Sequence, residues 1–235
     1  MTAANEKLSA LRALVTKRRS IAAGSTLGGY SRDYKKIGDF HSGAYDFDDH
    51  VVPYSKSAFN LDADVMILAQ DWASEDFLSK PFNAEQAALG HDPSLHTNKR
   101  LFHLLDKFFK LAFADTYATD AFVFAKPGNM GAPISSKDFK LSTLEYAVPQ
   151  IAIINPKLLI CVGGQPFNAL RSISKLQHMK LDTPFAEQSF TMGSSLVVGV
   201  YHVGGRGTSN LGGKDAQENQ WERLADFYSE YKDNF

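Results

Sequence analysis

The sequence predicts an α/β fold: a three-layer α/β/α sandwich around a short, mainly four-stranded parallel sheet. Three observations carry this. Four short runs are apolar throughout instead of alternating, as strands covered on both faces must be. Stretches with apolar residues at helical spacing separate those runs. The chain has 235 residues, 44% of them hydrophobic and 22% charged. That is enough for one sizeable core and too little to need two, so residues 1–235 read as a single domain.

Each element follows from its own pattern. Residues 5–22 place Leu8, Leu11, Leu14, Val15 and Ile21 at helical spacing, with Lys17, Arg18 and Arg19 on the polar side, and predict an amphipathic helix. From 24 to 60 no period is sustained; Gly28-Gly29-Tyr30 and Tyr45-Asp46-Phe47-Asp48-Asp49-His50 fall here. Residues 1–60 thus form an N-terminal helix and an irregular arm, ordered because its aromatic residues can pack, and of a length usually tied to function. Residues 64–69 read as the first buried strand, and 98–114, with Leu101, Phe102, Leu104, Leu105, Phe108 and Phe109, as a helix. The run 121–125 is the second strand, 142–155 a helix, 157–162 the third strand and 165–175 another helix. Residues 196–201 are the fourth strand, and 215–231 close the chain as a helix.

Bulk properties narrow the function. A formal net charge of -1 excludes a protein that holds nucleic acid by overall attraction, so any DNA contact is local. The only cysteine is Cys161, which rules out structural disulfides, a cysteine-rich zinc site and a thiolate-held iron–sulfur cluster and fits a reducing cytoplasm. His41, His50, His91, His96, His103 and His178 show no metal-ligand spacing, so neither metal nor organic cofactor is expected. No leader-like segment and no apolar stretch of spanning length is visible, so a cytoplasmic monomer without membrane attachment is expected.

In a parallel sheet, ligands bind beyond the carboxyl ends of the strands. The first strand ends in Ala69-Gln70-Asp71-Trp72-Ala73-Ser74 and the fourth in Tyr201-His202-Val203-Gly204-Gly205-Arg206-Gly207-Thr208-Ser209-Asn210. Lys126-Pro127-Gly128-Asn129 follows the second and Gly163-Gly164-Gln165-Pro166 the third. A carboxylate and an imidazole would therefore face one crevice. Cleavage of a base–sugar bond needs that pairing: a carboxylate near the cationic sugar and a donor near a carbonyl of the departing base. The bland alternatives are that Asp71 caps a helix starting near Ser74 and that His202 is a structural histidine.

These residues resemble the uracil-DNA glycosylase superfamily. Ala69-Gln70-Asp71-Trp72-Ala73 is similar to the Gly-Gln-Asp-Pro-Tyr motif, whose aspartate orients the attacking water. His202-Val203-Gly204-Gly205-Arg206 is similar to the motif whose histidine stabilises the leaving base at O2 and whose fifth residue wedges into the stack. Arg206 in that place, with Asn210, Lys214 and Trp221, resembles the single-strand-selective monofunctional branch; Lys126-Pro127-Gly128-Asn129 resembles a stretch of the thermophilic iron–sulfur members. The resemblance spans roughly residues 64–231 in element order and implies Asp71 and His202 as catalytic residues. Gln70, Trp72, Ala73, Phe124 and Asn129 would then contact the base. Arg206, Gly204, Gly205, Thr208, Ser209, Lys126 and Gln165 would contact DNA, with Lys99-Arg100 as further phosphate contacts.

Two departures bear on the base. Where family members carry a Tyr that blocks a C5 substituent, this chain has Ala73, or Trp72 if the loop is shifted by one, and the second strand lacks the Asn that reads the uracil edge. The expected substrate is therefore a C5-enlarged pyrimidine, hydroxymethylated or glucosylated, in damaged or phage DNA, flipped out of the stack before cleavage. Plain uracil excision, an N-glycosidase for free nucleosides or nucleotides, and a non-catalytic DNA-binding module of the same fold are the alternatives.

Overall fold

A computed structural model describes residues 2–21 and 29–233. The tail of the first predicted helix at Ala22 and the first glycine of Gly28-Gly29 lie outside the described residues. In chain order the structure comprises α1 (Ala3–Ser20), α2 (Pro53–Ser57), β1 (Val65–Asp71), α3 (Glu75–Leu78), α4 (Ala84–Leu89), α5 (His96–Leu104) and β2 (Tyr117–Phe122). It continues through α6 (Ser136–Ser142), α7 (Val148–Ile154), β3 (Leu158–Val162), α8 (Gly164–Ile173), α9 (Phe185–Gln188), β4 (Phe190–Met192), β5 (Ser195–Val200), α10 (Gly205–Leu211) and α11 (Lys214–Asp233).

The sheet has five strands in the order β2-β1-β3-β5-β4. β1, β2, β3 and β5 run parallel, and β4 pairs antiparallel with β5. The α/β/α layering therefore holds, with one short antiparallel edge strand added to the four predicted. β3, in the middle, is Leu158-Leu159-Ile160-Cys161-Val162 and is buried along its whole length, including the thiol of Cys161. Its apolar run follows from helices covering both faces.

The second strand corrects the sequence reading. It spans Tyr117–Phe122, not 121–125. The apolar run 121–125 misleads because Val123, Phe124 and Ala125 are fully or almost fully buried after the strand has ended, while the strand itself contains Thr119 and Asp120. Two helices also differ. The predicted helix over 98–114 runs from His96 to Leu104, passes into a π-helical turn at Leu105–Phe109 and stops at Lys110, which adopts a left-handed conformation. The one predicted over 142–155 begins earlier, because the Ser135 hydroxyl accepts from the Asp138 amide as an N-cap, and contains a π-helical turn at Thr143–Ala147.

The arm is part of the core. Tyr30, Tyr34, Ile37, Tyr45, Val51, Val52 and Tyr54 are buried. Asp138 of α6 fastens the arm by accepting from the Ser31 amide at 2.6 Å and the Tyr34 hydroxyl at 2.8 Å. Burial alone would raise the Asp138 pKa, yet the bonds from Ser31, Tyr34 and Ser135 outweigh it and the net shift is downward. Lys35 then pairs with Ala125, so the arm lies along the loop that follows β2.

Among the described residues, no helix is long and apolar enough to cross a membrane.

Candidate active site

Asp71 is the last residue of β1, and two neighbours fix its carboxylate. Gln70 Nε2 donates to Oδ1 at 2.7 Å, and Lys126 Nζ stands 2.9 Å from Oδ2. Both ends of that ion pair are inside, with side chains 2% exposed for Lys126 and 3% for Asp71. Lys126 arrives there because the pairing of β1 with β2 resumes past the strand ends. The Lys126 amide donates to Ala73 O, the Glu75 amide donates to Lys126 O, and Ser74 bridges Lys126 in parallel. Nζ also donates to Met130 O, which curls the 126–130 loop over its own lysine. Oδ2 makes this ion pair and no hydrogen bond among the described residues, and the atom itself is enclosed.

Asp71 does not cap the next helix. Ser74 does, its hydroxyl accepting from the Phe77 amide, which removes the bland alternative for the aspartate.

His202 follows β5 and is held differently. Its Nδ1 accepts from the Gly204 amide at 3.1 Å, which places the proton of the neutral ring on Nε2. Its carbonyl accepts from Gln217 Nε2 of α11, and Arg100 in turn donates to Gln217 Oε1. Two glycines make this possible. A Cβ on Gly207 would fall 2.0 Å from His202 O, and one on Gly204 would lie 2.9 Å from His202 Cε1.

His202 is solvent-exposed by surface area, yet surrounding protein lowers its pKa. Burial is the largest cause; the Asp71 charge opposes it and the Lys126 charge assists it. Exposure together with desolvation describes a side chain on a concave wall: solvent reaches it while protein lies around it. The Asp71 and Lys126 charges both act on the ring, so the three groups are near neighbours. Gly163, at the end of β3, joins them, since its Cβ position lies 3.9 Å from His202 Cβ, and Gly164 and Gln165 are half-exposed beside it.

Several residues expected from sequence are placed elsewhere. Lys126 is buried and its ammonium is committed to Asp71 Oδ2 and Met130 O, so it neutralises Asp71 instead of meeting a phosphate. Phe124 is enclosed by Tyr30, Tyr34, Phe122 and Tyr146, 2% exposed, and is a core residue, not a base-stacking platform. Trp72 turns its indole N–H to Gly90 O and packs on Tyr45 and Phe77. Ala73 is covered in a small cluster with Ile37, Tyr45, Leu78 and Ala125, so it opens no room of its own beside a pyrimidine C5. The Asn129 side chain is exposed and accepts from the Gly131 amide to shape a turn.

At the outer lip, Gly205, Arg206 and Ser209 are exposed, whereas the Thr208 hydroxyl is committed to Val203 O and Gly204 O and is unavailable to DNA. Arg100 is likewise internal, donating to Gln217, Glu218 and Lys214 O, and only Lys99 of that pair is exposed. Lys107 and Arg100 pull the Glu218 carboxyl down to about 2. Trp221 is fully buried in α11.

Asp120 was missed. It lies in β2 in register with Ala69, two residues before Asp71 on the adjacent strand, and is 1% exposed. A strand drawn over 121–125 leaves it outside the sheet; the readable signal was a lone carboxylate inside an otherwise neutral run.

Two cavities of about 180 Å³ each lie elsewhere, one against Leu181, Pro184 and Phe227, the other against His41, Tyr45 and Phe77. Neither borders Asp71 or His202, so these hollows are not where the chemistry would be. Among the described residues, no three His, Cys, Asp or Glu side chains are grouped to hold a metal. No protein-family model and no curated protein matches the chain, so the functional reading rests on this geometry and on the motif resemblance.

Proposed function

We propose that the protein is a monofunctional DNA glycosylase that flips out a pyrimidine nucleotide and hydrolyses its N-glycosidic bond, acting on a C5-enlarged base in preference to plain uracil. The observation that carries this reading is the complementary wiring of Asp71 and His202. As the bond breaks, the sugar gains positive and the base negative charge. The Asp71 carboxylate would orient water at the sugar. The Nε2–H of His202 would donate to the base O2, and a neutral ring serves because its Nδ1 is already satisfied by Gly204. Such preorganised donors reach full strength only where water is excluded, which base extrusion into the crevice would achieve.

DNA as the carrier is supported by the lip beside His202, where Arg206 is exposed and makes no ion pair among the described residues. It would fill the vacated stack, with Gly205 and Ser209 near the backbone. Tolerance at C5 is supported by Trp72, whose indole N–H is held at Gly90 O while its ring packs on Tyr45 and Phe77. Incubation with oligonucleotides carrying uracil, 5-hydroxymethyluracil, 5-hydroxymethylcytosine and glucosylated cytosine, scored for abasic sites, tests the reading. Preference for a C5-enlarged base is expected; preference for uracil overturns the substrate, and activity confined to mononucleosides overturns DNA. One observation favours a second reading, a binding module without turnover: the Asp71 side chain is only 3% exposed. Tight binding with no abasic product on any base would select it.

A further inference from the structure

We propose, on the basis of the glycosylase reading, that Asp120 is the general acid that protonates N3 of the flipped base, and that the substrates are therefore cytosine derivatives and not uracil derivatives. Asp120 lies in β2, two residues before the strand's last residue, beside the strand that ends in Asp71. Its side chain is 1% exposed, and its Oδ2 has no hydrogen-bond partner among the described residues. An unpartnered carboxyl oxygen buried in a sheet is costly and calls for a use. Its register neighbour Ala69 is half-exposed, so accessible surface reaches the residue next to it.

The two carboxyl groups have opposite surroundings. Asp71 has an ammonium and an amide donor, and Asp120 has neither among the described residues. Burial, reinforced by the Asp71 charge, raises the Asp120 pKa well above the usual carboxylate range. The carboxyl raised in this way is the one that carries a proton.

A proton-bearing carboxyl distinguishes the two pyrimidines by chemistry. Cytosine has a lone pair at N3 and an amine at C4, whereas uracil carries a hydrogen at N3 and has no basic nitrogen there. Asp120 would give its proton to cytosine N3, and its carboxylate would then accept from N3–H and from the C4 amine. The C1′–N1 bond breaks with its electron pair passing into the protonated ring, so the base departs neutral. Water adds to C1′ and yields a proton to Asp71. Asp120 recovers a proton from solvent and Asp71 releases one, so one water is consumed and the products are the free base and an abasic site. The role suits a cytosine derivative because its ring leaves poorly as an anion and well once protonated.

The test compares matched bases in DNA: 5-hydroxymethylcytosine with 5-hydroxymethyluracil, and the glucosylated form of each. The wild-type protein is expected to excise the cytosine member of a pair at least 100-fold faster, and Asp120→Asn to reverse or abolish that preference. A cytosine:uracil rate ratio unchanged by Asp120→Asn overturns the proposal while leaving the glycosylase reading in place. A wild type that excises neither member overturns both. A substrate-side measurement avoids any question of folding: the 3-deaza analogue of the preferred cytosine has no N3 lone pair, and wild-type protein should excise it at least 100-fold more slowly. Equal rates overturn the proposal. Cytosine excision should also fall as pH rises through the elevated Asp120 value. The groups facing that titration are Asp71 from β1 and the Tyr54 phenol from α2, with Lys126 and His202 beyond Asp71. A uracil derivative should lack that limb.

Discussion

The two ends of the crevice are built on opposite principles. At the β1 end, Asp71 is enclosed, charge-compensated by Lys126 and braced by Gln70 on a regular strand. At the β5 end, His202 is exposed, neutral and aimed by one backbone amide within a glycine-rich turn. The first arrangement keeps a negative charge in a place water scarcely reaches, at the cost of burying a cation with it. The second keeps a donor available to an incoming group and needs only correct orientation. Stability should therefore depend on the aspartate end, and turnover on both.

Variants can break or sharpen this contrast. Asp71→Asn is expected to lower single-turnover excision by about 10³-fold while DNA affinity changes little, because an amide cannot take the proton of the attacking water. Unchanged turnover would take the water-orienting role away from this residue. Lys126→Met leaves the Asp71 carboxylate enclosed beside Asp120 without a cation, and urea denaturation should show a loss of about 3–5 kcal/mol. A loss below about 1 kcal/mol would mean that solvent already compensates the pair.

At the other end, His202→Gln should reduce excision by about 10²-fold, with a midpoint of unfolding close to that of the wild type. Because its pKa is lowered, the ring should stay neutral as pH falls through 6.5 and lose function only at more acidic pH, when protonated Nδ1 can no longer accept from Gly204. An acid limb of the rate profile above 6.5 would contradict the desolvated setting. The smallest effect is expected from Arg206→Ala: about a tenfold loss on duplex DNA, equivalent to roughly 1.4 kcal/mol, and less on single strands. Equal losses on both would count against a wedge.

The stability of Asp120→Asn bears on the same contrast from the fold's side. A carboxyl whose folded pKa is raised stabilises least at high pH, since the unfolded chain ionises freely and the folded one resists. Relative to the wild type, the variant should therefore melt at a higher temperature at pH 8, with a smaller advantage at pH 5. The opposite trend would show that Asp120 is well solvated.

What could be read from sequence and what could not divide along physical lines. The apolar runs at β1, β3 and β5 betrayed themselves because both faces of each strand are covered, and Asp71 and His202 were legible because they sit directly after such runs. The β2 boundary was not, since burial of Val123, Phe124 and Ala125 continues into the loop under Tyr30 and Tyr34. That slip hid Asp120. The partnership of Lys126 with Asp71 depends on a bridge between Ser74 and Lys126, and no local pattern announces a contact made by two loops so distant in the chain. Trp72 and Thr208 were assigned outward roles from their neighbours in sequence, but each polar group had found an internal carbonyl.

Cys161 lies in β3, the middle strand of the sheet, hydrogen-bonded strands on either side, with no exposed surface and a thiol whose ionisation burial suppresses. As the chain's single sulfhydryl, it is a built-in reporter: a thiol reagent can reach it only when the central sheet parts, so its modification rate follows the opening of the native state and ignores fraying at the periphery. Changes at either end of the crevice can thus be sorted into lost chemistry and lost structure in one vessel, without adding a label.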